Sequence, residues 1–257
     1  MKLNMIKWRL MLTTLPVTLC FLLIKMGIVH GLGYEGLVKF SEISIVITGG
    51  IFLIGFMLAG TISDYKESEK IPAELACAIE TLEDTLILAH AAKGGFDLQA
   101  VRKQLQELTA TILNWFQRGE TDDAVYQKIN SITDIATILE KAAIGNICAR
   151  LTGEQHSLRK LFARVSVIKK TNFLATGYAL LEVPTIVIIG LLMIARFDND
   201  VISIVIVCFI TQIFIYMIRL IRDVDQPFEY SPKGIVGAAD IDLFPLIEYQ
   251  QRSLSRM

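Results

Sequence analysis

Residues 49–70 read GGIFLIGFMLAGTISDYKESEK, an apolar run dotted with glycine that ends, within one helical turn, in a dense segment of mixed charge. Extended back to residue 43, the apolar part covers about 20 residues, which is the length a helix needs to cross a bilayer. Asp64 is therefore expected to mark a membrane surface. Phe52 and Phe56 are one helical turn apart, so they lie one above the other on the same helix face. That face is a candidate for a pore wall.

The composition indicates an integral membrane protein with a sizeable soluble part. The chain has 257 residues, of which 53% are apolar and 20% are charged, with a formal net charge of -1. Its mean hydropathy is +0.51, and a soluble domain rarely combines that value with such a charge. The near-neutral charge argues against nucleic-acid binding, which needs a basic face.

The cysteines and histidines form no recognisable catalytic or metal-binding motif. The four cysteines are widely separated and none belongs to a CxxC pair, a pattern typical of buried thiols in a reducing compartment. The three histidines are isolated, and the sequence contains no zinc-protease, nucleophile-elbow or P-loop motif. We therefore expect no enzymatic activity, no cofactor and no metal.

Four apolar spans are predicted, at about residues 10–29, 43–63, 173–195 and 201–221. Short links join the first to the second and the third to the fourth. Lysine and arginine are concentrated in the N-terminal tail, in residues 64–172 and after Arg219. The positive-inside rule then places both termini and the central segment in the cytoplasm. The predicted fold is all-α, with four transmembrane helices in two hairpins around a cytosolic helical bundle.

This topology divides the chain into four segments. They are an N-terminal membrane hairpin (1–63), a cytosolic helical insert (64–172), a second membrane hairpin (173–221) and a cytosolic C-terminal tail (222–257). Within the insert, four helices are predicted. The first starts at Pro72 and the second follows the N-cap Asp97. The third runs from about residue 125 to Ala143, and the fourth starts near residue 155. Pro227 is expected to end the last membrane helix, and a short final helix follows.

Small residues in the second span are candidates for close helix packing. They have two interpretations, because the contact can lie within one subunit or between subunits. The residues are Gly49, Gly50, Gly55, Ala59 and Gly60.

Among the charged residues inside the predicted spans, two need an interpretation. Lys25, near the far end of the first span, is expected to extend to the interface. Glu182 stands near the middle of the third span, beside Pro184, and has two interpretations. It is either a protonated or hydrogen-bonded group that holds a helix break at Pro184, with Tyr178 or Thr185 as partner, or part of an ion path. In the second case it would repel chloride and favour cations.

The sequence resembles the bestrophin family of pentameric anion channels, which are built from two membrane hairpins flanking cytosolic helices. In that family the second membrane helix carries an Ile-x-x-x-Phe-x-x-x-Phe neck, written F-V-L-G-F. Residues 52–56, FLIGF, match it, with Thr48 in place of the isoleucine. The family follows its last membrane helix with a Pro-Phe pair in an acidic context, and Asp225, Pro227 and Phe228 in DQPFE are similar. The likeness is to a remote bacterial member.

Three departures from the family pattern stand out. Animal members carry a run of acids after Pro-Phe that holds calcium, whereas residues 229–233 read EYSPK and lack the clustered oxygens that calcium needs. We therefore expect no calcium gating. Residues 63–67, SDYKE, replace the aromatic and basic residues that usually follow the neck helix, which implies a different charge in the inner vestibule. Thr48 is expected to make the neck more polar than the family's.

The resemblance implies a homopentameric channel for chloride or other small anions, in a bacterial inner membrane. Rings of Thr48, Phe52 and Phe56 would form the neck, and movement of these rings would widen or dewet the path. The implied partners are identical copies, the bilayer and small ions. Two alternatives remain open at this stage: a proton-driven stator subunit that works with a single-span partner, and a non-conducting scaffold or signalling protein.

Overall fold

A computed structural model of the protein describes residues 2–31, 33, 36–141, 145–171, 175–230, 237 and 239–256. Ten α-helices and one parallel pair of two-residue strands lie in this part of the chain. In order they are α1 (Lys2–Met26), β1 (Val38–Lys39), α2 (Phe40–Ser68), α3 (Ile71–Lys93), α4 (Leu98–Arg118), α5 (Asp122–Asn130), α6 (Ile132–Lys141), α7 (Gly145–Lys170), α8 (Ala175–Ile194), β2 (Ala195–Arg196), α9 (Asp200–Asp225) and α10 (Phe244–Ser255). A short π-helical turn, Gly27–Gly31, extends α1.

Four helical stretches are long and apolar enough to cross a membrane. They are Trp8–Gly31, Phe40–Lys93, Thr176–Ile194 and Asp200–Asp225. Each overlaps one of the predicted spans, although the predicted start of the third, at residue 173, lies outside the described residues. The prediction of an all-α integral membrane protein with four spanning helices is confirmed.

The described residues form two compact units. The membrane unit contains the described residues of 1–65, 172–227 and 237–239, and the bundle unit contains those of 66–171, 228–236 and 240–257. Helix α2 begins in the membrane unit and its last turn belongs to the bundle unit. The finer division into four segments, 1–63, 64–172, 173–221 and 222–257, stays a prediction.

In the membrane unit, α2, α8 and α9 share one apolar core. Its buried members include Ile43, Ile47, Ile54, Leu181, Ile188, Leu192, Val207, Phe214 and Ile221. At Gly50 a Cβ atom would overlap the Ile188 Cδ1 and lie 3.0 Å from the Phe214 ring. A larger residue at this point of α2 would therefore force the Ile188 side chain to shift. A helix break at Pro184 is wrong, because α8 continues through that residue, as membrane helices often do when neighbours cover the freed backbone groups.

The two short strands tie the start of α2 to the end of α8. Val38 pairs with Ala195 and Lys39 pairs with Arg196, in parallel. The Leu37 backbone N–H also donates to the Ile194 carbonyl, at 3.0 Å. We call this element the clip, residues 36–39 with 194–196. Gly36 adopts a φ of +95°, and a Cβ atom there would lie 2.8 Å from the Arg196 backbone nitrogen, so the clip requires glycine at its first position.

The bundle unit consists of α3 to α7 and α10. Two local predictions are confirmed: Pro72 lies in the first turn of α3, and the Asp97 carboxylate caps α4 by accepting from the Gln99 and Ala100 backbone N–H groups. A single helix from residue 125 to Ala143 is wrong. The chain forms α5 and α6 instead, separated at Ser131, and Ala143 lies outside the described residues.

The predicted helix start near residue 155 is wrong, because α7 begins at Gly145, about ten residues earlier. Leu151, Leu158, Phe162 and Val165 are all buried, so the apolar face of α7 extends one repeat further toward the N-terminus. The sequence reading missed Leu151, which is separated from the next apolar member of that face by almost two turns.

Candidate functional site

Helix α2 has one buried face and one exposed face, and the exposed face carries the predicted neck residues. Phe52 is 77% exposed and Phe56 is 70% exposed. Steps of three and four residues make the exposed positions a continuous stripe along the helix. We call it the α2 stripe, consisting of Ile45, Thr48, Phe52, Phe56, Ala59 and Ser63. The buried positions Ile43, Ile47, Gly50, Ile54 and Thr61 lie on the opposite face.

The other small residues of α2 flank this stripe. By helical periodicity, Gly49 and Gly60 lie on one side of it and Gly55 lies on the other. A Cβ atom at any of these three glycines would have no neighbour within 4 Å, in contrast to Gly50. Within one chain, close packing through glycine therefore occurs at Gly50, and Gly49, Gly55 and Gly60 leave a smooth, open surface around the stripe.

The Thr48 hydroxyl is engaged by its own helix. It donates to the Ser44 carbonyl at 2.9 Å, a common arrangement for threonine in helices. Its one hydrogen is therefore unavailable to any other acceptor in this conformation. The methyl group and the hydroxyl lone pairs are what Thr48 presents to its surroundings.

Glu182 forms an ion pair with Arg222 of α9. The partners considered from the sequence are wrong, because Thr185 donates to the Leu181 carbonyl and Tyr178 donates elsewhere. The Glu182 side chain is 42% exposed, so it stands at a partly accessible position with its charge compensated. No periodicity signal links it to Arg222, which lies 40 residues further along the chain.

The Pro-Phe tail motif contributes structural contacts to both units. In the membrane unit, the Tyr178 hydroxyl donates to the Asp225 carboxylate at 2.6 Å, and the guanidinium of Arg222 lies 5.6 Å from the Tyr178 ring centroid. In the bundle unit, the buried Phe228 ring packs against Phe116, with centroids 5.6 Å apart. Asp225 is thus an acceptor at the end of α9, and Phe228 is a core residue.

The calcium prediction concerns the segment after Phe228. Residues 231–236, which include the proline and lysine of EYSPK, lie outside the described residues. Among the residues that the structure describes, no group of three or more His, Cys, Asp or Glu side chains is arranged to hold a metal ion.

Lys25 is a buried capping residue, and the expectation that its ammonium extends to the interface stays a prediction. It is only 4% exposed, and its Nζ donates to the Leu192 carbonyl at 2.7 Å and the Ala195 carbonyl at 2.9 Å. The ammonium also lies 4.7 Å from the centroid of the Phe197 ring. The last carbonyls of a helix lack intrahelical partners and carry partial negative charge, so a cation stabilises the end of α8.

A polar network missed by the sequence analysis joins α1 to α9. The Gln212 amide donates to the Thr14 hydroxyl at 2.6 Å, and the Thr18 hydroxyl donates to the Gln212 carbonyl oxygen at 2.5 Å. Thr14 and Thr18 are buried and stand one turn apart. That spacing, with a glutamine inside an apolar span, is the signal that could have revealed the network, because polar side chains in membrane helices pair with one another.

In the bundle unit, Asp122 collects three donors at the start of α5. They are the Trp115 indole N–H at 2.8 Å, the Ser166 hydroxyl at 2.8 Å and the Lys170 ammonium. Partial burial raises the pKa of the Asp122 carboxyl, but these hydrogen bonds, led by Lys170, outweigh it, so the pKa lies below its usual value. The pKa of Lys170 is raised by the same pair. The ammonium of neighbouring Lys169 lies over the Trp115 ring.

A second charged cluster fixes the C-terminal helix α10. The Glu83 carboxylate is 1% exposed and lies 3.2 Å from the Arg102 guanidinium and 3.7 Å from that of Arg256. The Tyr249 hydroxyl donates to it at 3.2 Å. Burial, together with the negative charge of Glu83, raises the pKa of Tyr249. The cluster therefore attaches α10 to α3 and α4 by charge as well as by apolar contact.

Comparisons with known proteins identify the fold. No protein-family model matches the sequence, and a search of curated proteins finds no match. Among solved structures, a variant of a membrane protein matches with a TM-score of 0.74 and 13% identity, over 95% of this chain and 97% of the other. A variant of a bacterial bestrophin homologue from Klebsiella pneumoniae matches with a TM-score of 0.71 and 13% identity, over 95% and 98%. Another structure of a bacterial bestrophin homologue from Klebsiella pneumoniae matches with a TM-score of 0.70 and 14% identity, over 93% of this chain and 96% of the other.

The chain thus has the fold of the bacterial bestrophin homologues along almost its entire length. The bestrophin resemblance inferred from residues 52–56 and the Pro-Phe tail is confirmed at the level of fold. At 13–14% sequence identity, this similarity is evidence for the fold alone.

Proposed function

We propose that this protein is a bestrophin-like ion channel, in which identical subunits surround a path lined by the α2 stripe. The observation that carries the proposal is the exposed pair Phe52 and Phe56 on a spanning helix of a chain with this fold. A single chain cannot enclose a path, so the proposal includes a homo-oligomer, most simply a pentamer as in the family. The flanking glycines Gly49, Gly55 and Gly60 give a smooth surface for contact between subunits.

The proposed mechanism is passive conduction of chloride or other small anions. Thr48, Phe52 and Phe56 from each subunit form successive rings, and the two phenylalanine rings make a hydrophobic constriction that opens by movement or wetting. The edge of a phenyl ring carries partial positive charge. A constriction that presents ring edges therefore favours a partly dehydrated anion over a cation.

The proposed location is a bacterial inner membrane, with both termini in the cytoplasm. In this arrangement residues 1–63 and 173–221 form two membrane hairpins, residues 64–172 a cytosolic insert, and residues 222–257 a cytosolic tail. The distribution of lysine and arginine supports it, since the two short links between spans contain few of them.

Glu182 fits a structural role in this channel better than a place on the ion path. Its ion pair with Arg222 compensates the charge that would otherwise repel chloride. A matched test is the reversal potential of Glu182→Gln, which is expected to equal that of the unmodified channel. A loss of cation selectivity on that substitution would instead place Glu182 on the path.

The main functional test compares three phenylalanine variants in liposomes. Phe52→Ala and Phe56→Ala widen the proposed constriction and are expected to increase chloride flux. Phe209→Ala is the control, because Phe209 is also exposed, at 66%, but lies on α9. Unchanged flux in both α2 variants, or an equal increase in the control, would refute the pore assignment.

A further inference from the structure

A groove of 810 Å³ runs along the surface of the bundle unit, between α3 and α7. We call it the bundle groove. At one end, Arg164 of α7 forms an ion pair with Glu67 in the last turn of α2, at 3.3 Å. From this pair the lining continues forward along α3 to Thr81 and backward along α7 to Glu154. The two helices are therefore antiparallel, and the groove between them is about 20 Å long at the helical rise per residue.

Opposite charges are separated along the groove. Lys70 and Lys160 line it close to the ion pair, whereas Glu74 and Glu154 line it further along. By helical rise, Glu74 lies about 6 Å beyond Lys70, and Glu154 lies about 9 Å beyond Lys160. Within the described part of the chain, none of these four side chains has an ion-pair partner. The groove therefore has a basic end and an acidic end, each with uncompensated charge.

The floor of the groove consists of small and apolar side chains from both helices. They are Ile71, Ala78, Leu161 and Ala163, each of which is buried or half-buried. Side chains this small allow another helix to pack at the interaxial distance of about 8–10 Å that is typical of helix pairs. The groove thus fits a helix that carries one apolar side chain between an acid and a base.

Helix α6 of the same unit carries such a face. Asp134, Ile138 and Lys141 follow one another at steps of four and three residues, so they form one line along the helix. All three are exposed, and Ile138 is a large apolar side chain with 44% of its surface exposed. Neither Asp134 nor Lys141 has an ion-pair partner among the residues that the structure describes. We call this line the α6 ridge, and its two charges lie about 10 Å apart along the helix axis.

We propose that the bundle groove of one copy of this chain receives the α6 ridge of a second copy. Asp134 then lies at the basic end, Ile138 lies on the apolar floor and Lys141 lies at the acidic end. Helix α6 has 10 residues and is about 15 Å long, so it fits within the groove. The occupant is a second copy because the chain itself carries the matching order of acid, apolar residue and base.

The groove and the ridge are different surfaces of one chain, so the contact is head-to-tail and closes a ring where the rotation between copies allows it. A contact of this length is smaller than a stable interface, so it adds to contacts that the copies make elsewhere. The proposal rests on the self-association that the proposed channel also requires. It uses no residue of the α2 stripe, so the two proposals are tested by different residues.

Disulfide crosslinking of the full-length protein in detergent tests this contact. Cys77 is exposed and lines the groove, so Ile138→Cys places a second thiol against it in the neighbouring copy. With copper phenanthroline as oxidant, this variant is expected to give multiples of the chain mass on a non-reducing gel, and these disappear when Cys77→Ser is added. Leu88→Cys is the control, because Leu88 is another exposed apolar residue of the bundle unit but does not line the groove. It is expected to give no multiples that depend on Cys77.

Charge reversal then tests the order of the ends. In the Ile138→Cys background, Lys160→Glu opposes Asp134 and is expected to slow crosslinking about tenfold, the effect of turning one exposed attraction into a repulsion. Adding Asp134→Lys is expected to restore most of the rate. Lys103→Glu, at an exposed position of α4, is the control and is expected to change nothing.

Four results would overturn the proposal: no multiples of the chain mass, multiples that persist without Cys77, equal slowing in the Lys160 and Lys103 variants, or no restoration by Asp134→Lys. Native mass spectrometry of the unmodified protein separates this failure from that of the proposed channel. An oligomer that lacks the crosslink through Cys77 overturns the groove contact alone, whereas a monomer overturns both proposals.

Discussion

Replacing Gly50 with alanine is expected to destabilise the membrane unit, although alanine is the better helix former. The added Cβ would overlap the Ile188 Cδ1 and lie 3.0 Å from the Phe214 ring. Ile188 and Phe214 are 1% and 0% exposed, so the shift that the Ile188 side chain must make takes place inside a packed core. Gly190, on an exposed position of α8, is the matched control, because a Cβ atom there has no neighbour within 4 Å.

The size of the effect follows from two opposing contributions. Alanine gains about 1 kcal/mol over glycine inside a helix at either position. Overpacking a tight core costs about 1–3 kcal/mol, and it applies only at Gly50. The propensity gain cancels in the comparison, so Gly50→Ala is expected to be less stable than Gly190→Ala by about 1–3 kcal/mol.

Thermal unfolding of both variants in the same detergent measures this difference. For a chain of this size, the expected gap in midpoint temperature is about 2–12 °C, with Gly50→Ala the lower. Size-exclusion profiles of the two proteins show whether both remain folded before heating. If Gly50→Ala proves as stable as Gly190→Ala, then α2 does not pack on α8 and α9 through this glycine.

Three further predictions concern charged and aromatic residues. Lys25→Met leaves the Leu192 and Ala195 carbonyls without their cation, and is expected to lower the free energy of unfolding by about 2 kcal/mol; an unchanged thermal midpoint would contradict the capping role. Asp122→Asn is expected to reduce stability at pH 6, and this loss is expected to shrink as the pH falls below about 4, because a carboxyl whose folded pKa is depressed stabilises above its unfolded pKa and loses that contribution as the pH falls through the folded value; a stability gap independent of pH would argue against this. Glu83→Ala leaves the mostly buried Arg102 guanidinium without its carboxylate and is expected to cost about 3 kcal/mol, read from denaturant unfolding, while a cost close to zero would show that apolar contacts alone hold α10.

Local features were predictable from the sequence because their causes lie within a few residues. The Asp97 cap and the Pro72 start depend on neighbouring backbone groups, and both are found as predicted. The shared face of Phe52 and Phe56 follows from the 3.6-residue period alone. By contrast, periodicity gave no warning of the separation at Ser131, where the apolar spacing continues across the junction of α5 and α6.

Partnerships between distant helices could not be predicted, because a helical pattern shows which residues share a face but not what that face meets. Lys25 donates to a carbonyl 167 residues away, and Glu182 pairs with Arg222 across 40 residues. Both charges looked like isolated exceptions in apolar spans. Their burial and compensation depend on how α1, α8 and α9 pack, which the sequence alone does not define.

For the candidate neck, too, the sequence predicts which residues share a face but not what that face contacts. The sequence identified Phe52 and Phe56 and placed them on one face of a spanning helix. The structure of one chain shows in addition that this face is exposed. It also shows that Gly50, rather than Gly49 or Gly55, makes the close contact with other helices. The neighbour of the exposed face is a property of the assembly, and the proposed channel depends on it.

Imaging of the detergent-solubilised protein by electron cryo-microscopy, viewed along the membrane normal, tests the central claim most directly. The proposed channel predicts fivefold symmetry, with one α2 helix from each subunit at the axis and Phe52 and Phe56 facing the path. Any other symmetry, or an assembly in which the α2 stripe faces detergent, would contradict it.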